Sequence, residues 1–333
     1  MLLKETEFSY AVGRIRKLED WLLNSDILTR MADAHDFESA FTILNETTYA
    51  KHMTKLKEAF DFEDLIRLEL LITKNLIEYL APDNKILRSF WLKFDIINAK
   101  ALLKAKFLGL EEAALINYGT IDAYKLKNYI FEGIDEIPKE LRFAISKTVL
   151  KFEKASDPQI IDNIMDKFYY SHTKNIAEEN KISFLIYIIM SAIDLVNLKT
   201  FIRAKESKKD KENFKHFILP GGKIKEIQLF EAYDRGVDDI VAKFKYTPYL
   251  QILSSGIEYY GKNKSFSLLE KLMDDYIIEY IKSAKRISFG IEPLIAFQIA
   301  KETETRNLRA ILICKKNNLK EELIKERLRI PYV

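Results

Sequence analysis

The sequence is poor in cysteine, glycine and proline: its 333 residues include 1 Cys, 10 Gly and 7 Pro. The single cysteine, Cys314, excludes an intramolecular disulfide and a structural zinc site built on cysteines. With 48% hydrophobic and 31% charged residues, the few Gly and Pro favour long helices joined by short loops over a disordered chain. We therefore predict an all-α protein, long enough for two or three units with a core each.

An excess of charge of one sign is also lacking. Lys and Arg number 53 and Asp and Glu number 50, so the formal net charge is only +3. Nucleic-acid binding relies on clustered cations, and this balance does not predict nucleic acid as a partner.

Long apolar segments are missing as well. The N-terminal residues become charged at once, which predicts no secretory leader and a cytoplasmic location. The longest apolar run, residues 182–193, lies between Lys181 and Asp194 and is much shorter than the ~20 residues of a membrane-spanning helix. We expect this run to form a buried core helix or a helix at an interface.

The motifs of common enzymes are absent. Gly221, Gly222 and Lys223 are followed by Ile224, where a phosphate-binding loop needs a Ser or Thr to hold magnesium. The four histidines share no i, i+3 or i, i+4 spacing of the kind that binds zinc. We therefore predict no catalytic residue, no cofactor and no metal site, and we expect that the chain is not an enzyme.

An internal repeat is the main feature that is present. Three segments, residues 95–106, 194–205 and 304–315, align without gaps. In each segment an acid stands three residues before an asparagine, and the asparagines are separated by 99 and 110 positions. Solenoid repeats recur every ~35 to 45 residues, which is much shorter than this spacing. The spacing therefore favours repeated helical bundles over a solenoid. The acid and asparagine pairs are Asp95 and Asn98, Asp194 and Asn197, and Glu304 and Asn307.

On a helix, the acid, the asparagine, a bulky apolar residue and a small residue of each copy fall on one stripe. The small residues are Ala105, Ala204 and Cys314. We expect the asparagine and the acid to share a hydrogen bond in a half-buried seam, although contact with a partner is also possible. The basic residues two positions after each asparagine should point to water; they are Lys100, Lys199 and Arg309.

Several segments resemble one known family. Residues 290–309, GIEPLIAFQIAKETETRNLR, and residues 325–333, KERLRIPYV, are similar to the C-terminal signature of the C subunit of V-type and A-type ATPases. Further similar segments are residues 8–16, 101–110, 197–205 and 219–224, in the same order along the chain. The eukaryotic relative is the d subunit of the V-ATPase.

The resemblance implies three pseudo-threefold-related helical bundles in series that form a funnel. With the polar stretch 206–213 as the best linker, the predicted bundles are residues 1–110, 111–213 and 214–333. The implied function is that of a central-stalk part, which couples the D and F subunits of the shaft to the membrane proteolipid ring and so links ATP hydrolysis or synthesis to proton or sodium transport. The chain would lie on the cytoplasmic face of the membrane, with no small-molecule substrate and no homo-oligomer.

The contacts with shaft and ring cannot be read from periodicity, and we take basic helix ends as candidates: Lys104, Lys106, Arg203, Lys205 and Lys315. The alternative function is a helical-repeat scaffold of another multisubunit complex, which would share the composition and the repeat. An enzyme with a site between bundles stays formally possible, but no group of His, Cys or acidic residues indicates one.

Overall fold

The structure, a computed structural model, describes residues 8–53, 61–81, 84–134 and 136–333. Every regular element in these residues is a helix, which confirms the predicted all-α class. Residues 1–7, which carry the expectation of no leader, lie outside the described residues. Two short 3-10 helices, Ile43–Glu46 and Lys282–Arg286, accompany the α-helices.

The described α-helices are α1 (Ser9–Glu19), α2 (Ser25–Asp33), α3 (Phe37–Thr42), α4 (Ala50–Met53), α5 (Phe62–Leu80), α6 (Lys85–Phe107), α7 (Ala123–Glu132), α8 (Lys139–Ala155), α9 (Gln159–Glu179), α10 (Ser183–Glu206), α11 (Lys211–Phe217), α12 (Glu226–Ala232), α13 (Val237–Lys243), α14 (Leu250–Asn263), α15 (Ser267–Ile281), α16 (Glu292–Lys316) and α17 (Glu321–Arg327). Apart from residue 1, the chain divides into two compact units. The middle unit comprises residues 83–240, and the terminal unit comprises residues 2–82 with 241–333.

The middle unit is built on α6 and α10. Helix α9 packs against α6, α8 and α10, and α7 packs against α6. Their apolar faces form a core in which Leu102, Leu126, Leu141 and Met165 are buried. Burial of side chains of this size stabilises a fold by about 1.5–3 kcal/mol each. The core therefore fixes the position of α6 and of the asparagine that it carries.

Helix α10 includes the longest apolar run. It has 24 residues, and by length and composition it is the one described helix that could cross a membrane. Its most apolar window has a mean hydropathy of 1.7, and 61% of that window is buried inside the protein. A core helix passes the same test, and apolar side chains on all sides are typical of a central helix. The packing of α10 against α9 and α11 agrees with the predicted core helix.

The terminal unit is built on α16, the longest described helix with 25 residues. It begins with Pro293 in its first turn, where the missing N–H group has no helical partner in any case. Helices α1, α3, α5 and α17 pack around it. Arg16 of α1 pairs with Glu19 and also donates to the carbonyls of Ala284 and Ile287 at 2.5 and 2.8 Å. The N-terminal and C-terminal parts of the chain are thus joined within this unit.

The predicted division into three bundles stays a prediction, as does their funnel-shaped arrangement. Helix α11 runs through residue 213, which is one of the predicted boundaries. The terminal unit draws on both ends of the chain, a feature that the predicted boundaries do not include.

Candidate functional site

The three repeated asparagines lie on the three longest central helices, α6, α10 and α16, and all are buried. Each side chain forms two hydrogen bonds with the main chain of a single residue that follows the helix. The amide group donates to that residue's carbonyl and accepts from its N–H, so one asparagine satisfies a whole peptide unit. The pairs are Asn98 with Ile116 at 2.8 and 2.9 Å, Asn197 with Leu219 at 2.8 and 2.7 Å, and Asn307 with Arg329 at 2.9 Å for both bonds.

This geometry differs from the expected hydrogen bond between the asparagine and the acid one turn before it. The asparagine binds instead to the main chain of the segment that returns after the helix. A peptide unit in the interior must be paired, and a buried loop has no ladder of its own to pair with. We call each acid, its asparagine and the segments that they bind a clasp.

The acids of the first two clasps bind backbone N–H groups. Asp95 accepts from the N–H groups of Thr120, at 3.0 and 2.8 Å, and of Ile121, at 3.2 Å. Asp194 accepts from Lys223 at 3.1 Å and Ile224 at 2.9 Å. Both carboxylates are fully buried, and hydrogen bonds to a charged acceptor are stronger than neutral ones.

A glycine precedes the bound N–H groups in both of these clasps. A Cβ atom at Gly119 would lie 2.0 Å from Asp95 Oδ1, and one at Gly222 would lie 2.1 Å from Asp194 Oδ1. No side chain fits in that space, so the close approach of carboxylate and loop requires glycine at both positions. The glycines are a turn signal in the sequence, but they do not indicate there which side chain approaches them.

The third clasp is completed by the N-terminal segment. Glu304 accepts from the N–H group of Leu23 at 2.5 Å, from the Tyr49 hydroxyl at 2.7 Å and from Lys301 Nζ at 2.7 Å. Leu23 directly precedes Asn24, the N-cap of α2. In the same way, Ile121 directly precedes Asp122, the N-cap of α7. The second clasp has this arrangement too, with Ile224 before Lys225, the N-cap of α12.

A lysine eight residues after each asparagine binds the other end of the same short helix. Its ammonium group donates to a carbonyl in the last turn or at the C-cap, where unpaired carbonyls favour a cation. The three pairs are Lys106 with Ile130 of α7, Lys205 with Tyr233 at the end of α12, and Lys315 with Ala34 at the end of α2. Each clasp therefore holds a short helix near both of its ends.

The central helices also end alike. All three stop nine residues after the asparagine, and the residue two positions further is left-handed, with φ of +70° at Gly109, +51° at Lys208 and +52° at Asn318. The next N–H group then bonds back to the carbonyl of the small residue of the repeat, Ala105, Ala204 or Cys314. This is the Schellman pattern of helix termination. The small residues are buried, and Cys314 occupies a packing position.

The five basic residues proposed for partner contact have the following places. Lys106, Lys205 and Lys315 donate to the carbonyls just named, and Lys104 pairs with Asp162 of α9 at 2.8 Å. Arg203 is exposed. Contact of any of them with another subunit stays a prediction.

The residues two positions after the asparagines do not all point freely to water, and that expectation is wrong for two of them. Lys100 pairs with Asp166 of α9 at 2.5 Å, and Arg309 forms a two-nitrogen pair with Glu63 of α5 at 2.8 to 3.1 Å. Burial raises the pKa of the Asp166 carboxyl, and the nearby Lys100 opposes this shift. These pairs bind neighbouring helices to α6 and α16.

A buried charged cluster lies next to the third clasp, and the sequence patterns did not predict it. Lys301 Nζ lies 2.7 Å from Glu304 and 3.6 Å from Glu69, and all three side chains are almost fully buried. Burial lowers the pKa of Lys301, but the two carboxylates outweigh it and raise the pKa. The other two copies have Leu92 and Ser191 at this position. That difference between aligned copies was the available signal.

Two members of the cluster, Lys301 and Glu69, line a cavity of about 140 Å³ in the terminal unit. Trp21, His52, Thr73 and Phe297 contribute to the lining, and His52 Nδ1 has no hydrogen-bond partner. Within the described part of the chain, no group of three or more His, Cys, Asp or Glu side chains is placed to hold a metal ion.

Comparison with known proteins covers nearly the whole chain. The model of the ATP synthase (C/AC39) subunit family matches residues 11–327. The chain belongs to this family. The C subunit of the A-type ATP synthase of Methanocaldococcus jannaschii is 30% identical over 98% of this chain and 88% of its own length. The C subunit of the V-type sodium ATPase of Enterococcus hirae is 28% identical over 96% of both chains.

Membership in the ATP synthase (C/AC39) subunit family confirms the resemblance stated from the sequence. A further relative, the C subunit of the A-type ATP synthase of Pyrococcus furiosus, is 26% identical over 98% of this chain and 91% of its own length. The family implies that the chain is a part of a V/A-type ATPase complex and that this complex transports ions. The clasps are accordingly a feature of a protein that works inside a larger assembly.

Proposed function

We propose that this chain is a non-catalytic central-stalk part of a V/A-type rotary ATPase. It acts as a socket between the central shaft, formed by the D and F subunits, and the proteolipid ring in the membrane. In this position it couples ATP hydrolysis or synthesis to the transport of protons or sodium ions. It lies on the cytoplasmic face of the membrane, and three helical bundles related by pseudo-threefold symmetry form its funnel.

The threefold clasp is the observation that carries this proposal. A part that transmits torque must resist deformation, and its helices must keep their positions under load. Each clasp ties a long central helix to a returning segment through buried side-chain bonds to the main chain. Bonds of this kind contribute about 0.5–1.5 kcal/mol when neutral and about 1.5–3 kcal/mol when one partner is charged. Repeated three times, they support a stiff coupling element.

Long-range ion pairs support the same role. The pairs of Arg309 with Glu63 and of Lys104 with Asp162 connect different helices through charged groups that are only partly exposed. Paired charges of this type add a directional contact between two helices to the shape-dependent packing of their apolar side chains. Stiffness in both units therefore has a chemical basis in named side chains.

The test is affinity purification of the tagged chain from gently solubilised membranes of its own source. We expect the head, the shaft subunits and the proteolipid ring to co-purify, and we expect ATPase activity in the eluate that the isolated chain lacks. Recovery of a different set of proteins, without a proteolipid ring, would support the helical-repeat scaffold instead. ATPase activity of the isolated chain would contradict the non-catalytic assignment.

The coupling role needs a second measurement, because co-purification alone shows membership only. Membranes that carry the Asn197→Ala variant should keep ATP hydrolysis by the head while ATP-driven ion uptake falls, since the socket is less rigid. Asn317→Ala, at an exposed asparagine that bonds to Ile313 of its own helix, is the matched control. Equal losses of hydrolysis and transport in the first variant would show a defect in assembly and not in coupling.

A further inference from the structure

Helix α8 of the middle unit has an unusual exposed face. Its buried side, with Leu141, Ala144 and Ile145, packs against the core of the unit. On the opposite side, Phe143 is 71% exposed and Leu150 is 60% exposed. The two are seven positions apart, so they project in the same direction about 10 Å apart along the axis. Of the helices in the described residues, α8 alone carries two such large apolar side chains.

Cations surround these two side chains. The exposed basic residues of α8 are Lys139, Arg142, Lys147, Lys151 and Lys154, against the carboxylates Glu140 and Glu153. This one helix thus has an excess of three positive charges, five minus two, which equals the formal net charge of the entire chain. The balance of the sequence as a whole conceals a local basic surface.

The neighbouring helix places one further lysine beside this face. Lys167 of α9 donates to the His216 carbonyl at 2.7 Å. Burial is the main reason that the pKa of Lys167 is lowered; the nearby Lys147 adds to the shift and Glu226 opposes it. A basic residue in the last turn of α8 also compensates the helix dipole. This gives a structural reason for Lys154, but not for Lys139 or Lys147, which lie elsewhere on the helix.

The composition of the surface indicates the kind of partner. Phe143 and Leu150 are exposed on a helix face that is also rich in lysine, a combination that is typical of helices that bind a membrane surface. A lipid surface accepts protruding apolar side chains among its headgroups, and anionic headgroups attract the lysines that flank them. Lysine stems can lie along the apolar zone while the ammonium groups reach the phosphates.

We propose that the exposed face of α8, with Phe143, Leu150 and the surrounding lysines, binds the surface of an anionic membrane. This contact is independent of the socket role: it predicts affinity of the isolated full-length chain for lipid, whereas the socket role predicts co-purification with the ATPase complex. Failure of one leaves the other standing.

The experiment is co-sedimentation of the purified full-length chain with vesicles. We expect binding to vesicles of equal parts phosphatidylcholine and phosphatidylglycerol, little binding to phosphatidylcholine alone, and loss of binding as salt screens the charges. Reversal of charge at Lys147, Lys151 and Lys154 to Glu should weaken binding more than about tenfold. The matched control reverses three exposed lysines on separate elements, Lys125, Lys245 and Lys320, and should retain most of the affinity.

The apolar contribution is tested separately with Phe143→Ser and Leu150→Ser together, which should weaken binding at least about threefold while the salt dependence persists. Tyr79→Ser, at a side chain that is 77% exposed on α5, is the control. Circular dichroism checks that each variant is folded. Absence of binding to the anionic vesicles, or equal affinity of the clustered and scattered lysine variants, would overturn the proposal. Binding only to an acidic protein of the complex would also overturn it.

Discussion

The two clasps of the middle unit and the clasp of the terminal unit each hold a main-chain segment against a central helix, but they use different acidic residues and different bound segments. In the middle unit, Asp95 and Asp194 bind segments that follow 25 to 30 residues later, next to a glycine. In the terminal unit, Glu304 binds the N–H group of Leu23, 281 positions away. The longer side chain of Glu reaches a segment that arrives from the other end of the chain.

The difference has a consequence for electrostatics. In the middle unit, the bonds described above join each acid to N–H groups of the main chain, and the Thr120 hydroxyl adds to them in the first clasp. In the terminal unit, a buried lysine and a tyrosine hydroxyl join the acid, and Glu69 lies close by. Charged pairs that are buried give large penalties when one partner is removed. The terminal clasp should therefore be the more sensitive of the two kinds.

The largest effect is expected for Glu304→Ala. The change leaves the Lys301 ammonium with Glu69, whose carboxylate is 3.6 Å away, and leaves the Leu23 N–H group and the Tyr49 hydroxyl without their acceptor. We expect a loss of about 3–5 kcal/mol in the free energy of unfolding, measured by urea denaturation. Glu279→Ala removes a carboxylate that is 70% exposed and pairs with Lys282, and should lose less than about 0.5 kcal/mol. Similar losses in both variants would refute the buried-pair argument.

Gly222→Ala should be the next most harmful change, and it tests the second clasp, which lies in the middle unit. A Cβ atom 2.1 Å from Asp194 Oδ1 forces the carboxylate away from the N–H groups that it binds. We expect a loss of about 2–4 kcal/mol in unfolding free energy, because a buried charge loses its hydrogen bonds. Gly261→Ala is the control: nothing lies within 4 Å of its Cβ position on α14, so helix propensity should raise stability by about 0.5–1 kcal/mol. A tolerated Gly222→Ala would contradict the required close approach.

Alanine substitutions of the three asparagines test whether the feature that all three clasps share, the pair of hydrogen bonds to one returning residue, contributes equally to stability in each. Asn98→Ala, Asn197→Ala and Asn307→Ala each remove the side chain that pairs the N–H and the carbonyl of one returning residue. Each should lose about 2–3 kcal/mol of unfolding free energy. Asn317→Ala, with an exposed bond to Ile313, should lose under about 0.5 kcal/mol and serves as the reference. A much smaller loss for one of the three would show that its clasp is looser.

The sequence predicted the elements of the clasps better than their partners. Helical periodicity and the ungapped alignment identified the all-α class and the three equivalent stripes, because both follow from local spacing. The returning segments could not be identified in this way, since Ile116 and Leu219 are bound through their main chain and their side chains carry no signal. The position of Leu23 in the third clasp depends on a contact between sequence-distant segments, and no periodicity reports such a contact.

The basic positions show the same limit. Lys106, Lys205 and Lys315 align in the repeat, so their shared spacing could be seen in the sequence. The sequence did not show that each of them binds the end of a short helix. Charge alone indicates solvent or a partner, whereas the carbonyls at a helix end are invisible in a sequence. The alignment of Lys301 with uncharged residues was visible too, and a charge at an otherwise uncharged position of a core helix indicates a buried pair.

The smallest effects are expected for Lys106→Met, Lys205→Met and Lys315→Met, which keep the apolar stem and remove the bond to the helix end. Each should lose about 1–2 kcal/mol in unfolding free energy, measured by urea denaturation. Lys320→Met, at an exposed lysine, should change stability by less than about 0.5 kcal/mol.

The part of the molecule that loses stability in these lysine variants distinguishes the middle unit from the terminal unit more sharply than the size of the loss does. Helix α7 follows the first clasp along the chain and is covered by the core of the middle unit, so removal of the Lys106 bond should be felt in global unfolding. Helix α2 precedes α16 by most of the chain and is held in part by Lys315 and by Glu304, so removal of the Lys315 bond should let α2 open locally. Hydrogen exchange would then show faster exchange of the Leu28 amide in Lys315→Met, without a matching change at Leu126 in Lys106→Met. Equal changes in the exchange rates of the two amides would contradict this prediction. They would mean that α2 is held in its clasp as firmly as α7, which follows its central helix directly in the chain.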